Sequence, residues 1–220
     1  MLFRSMQSMP RSIASKIDSH LADYHTGLSD IIMSVISCQI GQCGNQLGES
    51  LFSKLSIEAS TASVDHRAAV MDTYFHVDSK DRMTANALLV DMEPKVIDSI
   101  VEKKKPWYEY DRKYAVCREE GSGNNWAYGF NVHGLACLDE ITNKFRKLAE
   151  RSDTVEGVIV LQSLAGGTGS GVGSRVLERL RDELASKPIY SVAVLPRLSG
   201  EVILQYYNAI FSMANLYNVN

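Results

Sequence analysis

Cysteine is scarce in this chain. Its 220 residues include 4, namely Cys38, Cys43, Cys117 and Cys137. They are too few and too scattered for a disulfide scaffold, and no C-x-x-C pair offers a structural zinc site. The reducing cytoplasm is therefore the default compartment. Positive charge is not in excess either: 23 Lys and Arg stand against 26 Asp and Glu, a formal net charge of −3. Coating a nucleic acid needs clustered cations, so no nucleic-acid partner is expected. No apolar run approaches the roughly 20 residues that cross a bilayer. The longest are interrupted by Gly, Ser or Asp, and no membrane partner is expected. Internal repeats are lacking. What remains is a globular composition, 45% hydrophobic and 22% charged. The length suits one large domain or two small ones and allows a substantial core.

The first 32 residues read differently from the rest. They are rich in Ser and Met, and Arg4, Arg11 and Lys16 precede the first acid, Asp18. That order leans slightly towards a mitochondrial transit peptide. Asp18, Asp23 and Asp30 follow, however, and no long amphipathic face develops. The expectation for 1–32 is a flexible, solvated or loosely helical extension, with the domain at 33–220. Met33 stands directly before the first clear strand, as a start site would. Asn220 ends the chain inside a helix-like pattern with no evident cap.

Ser34–Ile40 is rich in β-branched residues and reads as a buried strand. Gly41 breaks it, and Leu47, Leu51, Phe52 and Leu55 then recur at helical spacing. The polar stretch 56–83 predicts loop, with a weak strand near Thr73–Val77. Ala87–Val90 is a second buried strand. Pro94 suits the first turn of a helix whose apolar face is Val96, Ile97, Ile100 and Val101. Lys103, Lys104 and Lys105 before Pro106 complement the dipole at its end. Glu119–Phe130 reads as a loop and Leu135–Ala149 as a helix. Gly157–Leu164 is the most apolar strand, and the glycine turn Ala165–Gly171 follows it. Val172–Ala185 reads as a helix, Ile189–Leu195 as a strand and Val202–Leu216 as a helix. Trp107 and Trp126 are expected to pack rather than to stack on a ligand.

Strands alternate with helices, and the strands are continuous apolar runs. The pattern predicts an α/β fold, a Rossmann-like parallel sheet with helices on both faces. Ligands of such sheets bind outside the carboxyl ends of the strands. The special residues fall there: Gly41-Gln42-Cys43-Gly44, then Asp91 and Glu93, then the glycine turn. That turn holds glycine at four of its seven positions: Gly166, Gly167, Gly169 and Gly171. Glycine lets a backbone approach a ligand closely, and the unpaired N–H groups at a helix start attract anions. Thr168 and Ser170 add hydroxyls. Phosphate binding is favoured over a tight turn that merely permits packing. No Walker lysine follows, since Arg175 is the nearest cation. The dinucleotide fingerprint also fails, because Val172 stands where its last glycine belongs. Asp91 and Glu93 suit either a metal or the backbone N–H groups at a helix start, and the residues alone leave both open.

Five blocks together resemble the tubulin superfamily in order and approximate spacing. They are GQCGNQLGE from Gly41, VDMEP from Val90, GSGNNWAYG from Gly121, AGGTGSG from Ala165 and GEVILQYYNA from Gly200. The glycine turn resembles the tubulin signature motif, which recurs in bacterial cell-division GTPases. MEPKVI, the VHG after NNWAYG, and Ala165 before Gly166 are more similar to delta-tubulin than to the alpha or beta chains. The likeness runs from about Met33 to Asn220 and corresponds to the first half of a tubulin. The long central helix, second domain and C-terminal helices have no counterpart. A truncated isoform or fragment with an added leader is the expectation.

The resemblance implies GTP and Mg²⁺. It implies nucleotide contacts at Gln42, Cys43, Asn124, Ser163, Ala165, Gly166, Gly167, Thr168, Gly169, Ser170, Gly171 and Glu201. It implies Mg²⁺ at Glu93, usually through water, with Asp91 beside it. Asn124 resembles the asparagine on the terminal phosphate, and Glu201 falls in the ribose loop. For Asn124 an ordinary turn, and for Ser163 a local cap, are the plain alternatives. Gln205 departs from the Glu of the alpha and beta chains. In the family an acid from the next subunit completes hydrolysis in trans. It lies beyond the central helix, so this chain alone is expected to be inactive. Other tubulins and centriolar proteins are the implied partners, and the microtubule cytoskeleton, centriole, centrosome and cilium the implied setting. Two rivals remain. One is a non-catalytic interaction product with an exposed apolar face. The other is a Rossmann-type NAD enzyme, disfavoured because no catalytic His or Tyr constellation accompanies the failed fingerprint.

Overall fold

A computed structural model describes residues 33–78, 82–184, 186–197 and 203–219. The extension expected over 1–32 lies outside these residues, as does Glu201.

Five strands form one parallel sheet: β1 (Met33–Ile40), β4 (Ala87–Asp91), β5 (Ala115–Cys117), β6 (Thr154–Ser163) and β7 (Ile189–Val194). Their order is β5-β4-β1-β6-β7. In register, Cys38 lies beside Leu88 on one flank and Val160 on the other. β2 (Phe75–Val77) and β3 (Met83–Ala85) form a separate antiparallel pair. The chain grows from β1 outwards through β4 to β5, then returns to the other flank for β6 and β7. The reversal falls at β1, and the crevice beyond its carboxyl end is where such a sheet opens to a ligand.

Alternate strand residues feed two cores. Cys38, Ile40, Leu88, Val90, Val158 and Val160 meet α4 (Gly134–Ala149) and α5 (Gly173–Glu183) through Ile141, Phe145, Leu148, Val176, Leu177 and Leu180. On the other face, Leu89 and Ala87 join Phe52 of α1 (Gly41–Thr61), Val70 of α2 (Val64–Tyr74) and Ile97 and Ile100 of α3 (Pro94–Glu102). Full burial of one such aliphatic side chain is worth about 1.5–3 kcal/mol. α6 (Gln205–Val219) lies beyond β7 in sequence and packs on α5. Among the described residues no helix is long and apolar enough to cross a membrane.

Several expectations need correction. The polar stretch after Leu55 is not loop: α1 continues to Thr61, and α2 follows. Val70 is the one α2 residue that is fully buried, so the helix carries almost no apolar stripe. Arg67 holds it to the end of α1 by donating to the Ala59 carbonyl at 2.8 Å. β5 was not foreseen, because three residues paired on one side to β4 leave no pattern to find. Helix also begins earlier than expected after the Asn-rich loop. A single turn, Trp126–Tyr128, and a π-turn, Gly129–His133, run straight into α4. Helices cover both faces of the sheet as expected, but the edge strand β7 is not a buried strand. In β7, Tyr190, Val192 and Val194 are exposed. Trp107 is exposed as well, whereas Trp126 packs on Phe130 and Phe211. The lysine run acts as a helix end: Lys105 Nζ donates to the Ile100 carbonyl at 2.7 Å, and Lys103 pairs with Glu49 at 2.6 Å.

Candidate functional site

Four connections leave the carboxyl ends of the parallel strands: Gly41–Asn45 after β1, Asp91–Pro94 after β4, Glu119–Asn125 after β5 and Leu164–Val172 after β6. Backbone contact joins them. Gly41 holds φ at +73°, and a Cβ there would lie 2.9 Å from the Gly169 nitrogen. Such a φ favours glycine, and so does the space. A Cβ on Gly167 would lie 2.7 Å from both the Asn125 nitrogen and the Ser122 carbonyl oxygen. A Cβ on Gly121 would lie 2.3 Å from Glu93 Oε1. The first turn, the glycine turn, the Asn-rich loop and Glu93 therefore border one surface. Asn45 ties it from beneath, its buried Nδ2 donating to the carbonyls of Gly41 (2.9 Å) and Val90 (3.0 Å).

The glycine turn runs into a π-turn, Thr168–Val172, and then α5. Ala165 N donates to Ser163 Oγ at 3.2 Å and Gly171 N to the Gly167 carbonyl at 2.8 Å. Among the described residues no backbone carbonyl takes the N–H groups of Gly166, Gly167, Thr168 or Gly169. Four successive amides at a helix start are thus unspent, the donor set that an anion satisfies. The side of the turn is fixed by the loop. Gly123 and Asn124 hold φ at +55° and +51°, a left-handed pair that Asn and Gly accept. Gly166 faces Asn124, whose Oδ1 would lie 3.6 Å from a Cβ on it.

The proposed contacts differ in what they have to offer. Gln42 and Asn124 are exposed; Cys43, Ser163, Ala165, Gly166 and Thr168 are half-buried; Gly167, Gly169, Ser170 and Gly171 are buried. Ser170 does not offer its hydroxyl, which donates back to the Gly166 carbonyl inside the turn. Ser163 Oγ serves as the local acceptor for Ala165 N. Burial pushes the Cys43 thiol up, which disfavours its thiolate.

The two acids separate. Asp91 is 5% exposed, and its Oδ1 accepts the Met92 N–H at 2.8 Å. Burial raises its pKa to about 6, against the smaller lowering by the Met92 and Glu93 amides. Asp91 is thus chiefly an acceptor for its own turn. Glu93 sits at the N-cap position of α3, makes no capping bond and is exposed beside Gly121. No Lys or Arg occurs in any of the four connections, while Asp91, Glu93, Glu119 and Glu120 do. These connections can offer an anion amides and hydroxyls but no side-chain cation. Among the described residues no three His, Cys, Asp or Glu cluster to hold a metal unaided. An oxygen-only set of one or two carboxylates completed by phosphate oxygens and water suits Mg²⁺.

Three residues of the site were not anticipated. Asn208, buried in α6, donates to the carbonyls of Asn124 and Ala165, each at 2.8 Å, and accepts the Trp126 N–H at 2.9 Å. It locks the loop to the glycine turn. Ser122 and His133 form the others: Ser122 Oγ lies 2.9 Å from His133 Nδ1 and 3.2 Å from Thr168 Oγ1. A lone polar residue in a helix pattern gives no sign of three distant partners.

Comparison with known proteins shows the family. The family profile described as the Tubulin/FtsZ family, GTPase domain, matches residues 34–220. The tubulin delta chain of Homo sapiens is 36% identical over 195 residues, covering 84% of this chain and 43% of that protein. The delta chain of Mus musculus is 35% identical over 195 residues, with the same coverage. The tubulin gamma chain of Saccharomyces cerevisiae (strain ATCC 204508 / S288c) is 33% identical over 192 residues, 83% of this chain and 40% of that protein. The chain spans less than half the length of these relatives.

Proposed function

This chain belongs to the Tubulin/FtsZ family through its GTPase domain, and from that premise we propose that it binds GTP with Mg²⁺ at the surface bordered by Gly41, Glu93, Asn124 and the glycine turn. One observation carries the reading: the unspent amides of Gly166–Gly169, held at the sheet's reversal point by backbone contact with Gly41 and with the loop at Ser122–Asn125. The turn supplies donors for phosphate oxygens, and the Thr168 hydroxyl adds one more. Glu93 is the acid free to hold a hydrated metal, with Asp91 setting the shape of its turn. Bound Mg²⁺ would neutralise phosphate charge and fix the phosphate oxygens in place. Ribose contacts are assigned to Glu201. Hydrolysis is assigned to assembly, with an acid from a neighbouring subunit, so the isolated chain binds and does not turn over. Other tubulins and centriolar proteins are the proposed partners, in the cytoplasm at microtubules, centrioles or the centrosome.

Equilibrium titration with a fluorescent GTP analogue in Mg²⁺ tests this. Saturable binding, competed by GTP and not by NAD, is expected. No saturation at high protein concentration rejects the reading for this chain.

A second reading rests on a separate observation. Tyr190, Val192 and Val194 on β7 and Tyr207, Ile210, Phe211 and Met213 on α6 are exposed. Such a surface favours a non-catalytic interaction product. A compact monomer that binds no apolar dye would reject it.

A further inference from the structure

Three side chains from three segments form a continuous hydrogen-bonded line into the glycine turn. His133 ends the π-turn before α4, Ser122 belongs to the Asn-rich loop, and Thr168 opens the π-turn before α5. His133 Nδ1 is 2.9 Å from Ser122 Oγ, which is 3.2 Å from Thr168 Oγ1. Ser122 and His133 are buried, and only Thr168 reaches the surface. The imidazole is held edge-on by Tyr128, with ring centroids 4.8 Å apart. The Ser122 main chain is fixed as well, its carbonyl accepting the Asn125 N–H at 3.0 Å.

The Ser122 hydroxyl is buried with just His133 and Thr168 as its partners among the described residues, so its one proton is satisfied when it accepts from one and donates to the other, and the line then points one way at a time. If His133 Nδ1–H donates to Ser122, then Ser122 donates to Thr168, and the Thr168 proton is left to point outward. If the order is reversed, Thr168 donates inward and turns lone pairs towards the amides of Gly166–Gly169. The first order offers an anion a donor; the second offers it repulsion. We propose that His133 is a positioning residue for nucleotide phosphate: through Ser122 it orients the Thr168 hydroxyl as a donor. The inference rests on the GTP reading above and adds to it the element that sets the polarity of the turn. A merely structural role, in which the three groups satisfy one another, would leave the Thr168 proton indifferent to His133.

The test is the affinity of the full chain for a fluorescent GTP analogue in Mg²⁺, with thermal unfolding of every variant. Ser122→Ala and His133→Phe are each expected to weaken binding about three- to tenfold, the range for one lost hydrogen bond. The double variant should be no weaker than the worse single one. His133→Asn, whose side-chain amide can take the place of Nδ1, should restore binding to within about twofold of wild type. In a Thr168→Ala background neither Ser122→Ala nor His133→Phe should have any further effect. Ser122→Ala, which deletes only an oxygen, carries the test if His133→Phe loses its fold. Saturable wild-type binding with unchanged affinity in Ser122→Ala, or effects that persist without the Thr168 hydroxyl, overturns the relay and leaves the GTP reading intact. Absence of saturation by the wild-type chain overturns both.

Discussion

β4 and β7 have similar sequences and opposite fates. Ala87-Leu88-Leu89-Val90 and Ile189-Tyr190-Ser191-Val192-Ala193-Val194 both read as continuous apolar strands. In the fold every residue of β4 is buried, between α3 on one face and α4 on the other. β7 is the last strand of the sheet, and its residues alternate between covered and bare, with Tyr190 60% and Val192 48% exposed. An apolar run therefore reports strand, not depth. Depth depends on which helices arrive, and that is decided by segments far away in sequence. The chemistry belongs to neither edge, because the turns beyond β4, β1 and β6 meet at the centre, where the sheet reverses.

Substitutions can break this contrast, and the largest effect is expected at its centre. Leu88→Ala should cost about 2–5 kcal/mol in urea unfolding, by lost transfer energy and the cavity left behind. An equal loss in Val192→Ala would show that β7 is covered in solution. Asp91→Asn comes next and depends on pH. Its folded-state pKa is raised from 3.8 to about 6, so its stabilising contribution is present below pH 4 and is lost as pH rises through 6. In nucleotide-free and Mg²⁺-free buffer, Asp91→Asn should match wild type near pH 4 and exceed it by at most about 3 kcal/mol at pH 7. A constant difference across that range would place the carboxyl in water. Asn208→Ala removes three hydrogen bonds at once and should cost about 1–3 kcal/mol. It should weaken nucleotide binding more than Leu88→Ala does at temperatures where both are folded. The smallest effect belongs to β7: Val192→Thr should change stability by less than about 0.5 kcal/mol. A larger loss would mean that an unseen partner covers the strand.

The sequence held four of the five sheet strands, including the edge strand β7, and missed β5 at the other edge. β1, β4 and β6 announce themselves through short apolar runs, and α3 to α5 through apolar spacing. α2 stayed hidden because its packing needs a single buried side chain, Val70, and an arginine bond to the end of α1. β5 stayed hidden because three residues carry no period. At the site, the glycine turn and the Asn-rich loop were legible as local backbone chemistry, while the left-handed pair Gly123 and Asn124 was not. The division of labour between Asp91 and Glu93 was not, since burial and the direction of a side chain depend on the folded turn. Ser170 looked like a free hydroxyl and is spent inside its own turn. Asn208, Ser122 and His133 act across distances in sequence that no motif spans.

The two π-turns and the residues just before them meet most closely at two glycines. A Cβ on Gly171 would lie 2.3 Å from the Trp126 carbonyl oxygen, and one on Gly129 would lie 2.4 Å from that of Gly167. The segments are separated in the chain by all of α4 and β6, so this is a contact between distant parts of the sequence. A methyl group at either glycine would have to push main chain aside, and the shape of the phosphate-facing turn is therefore set by the absence of side chains on both sides of the seam.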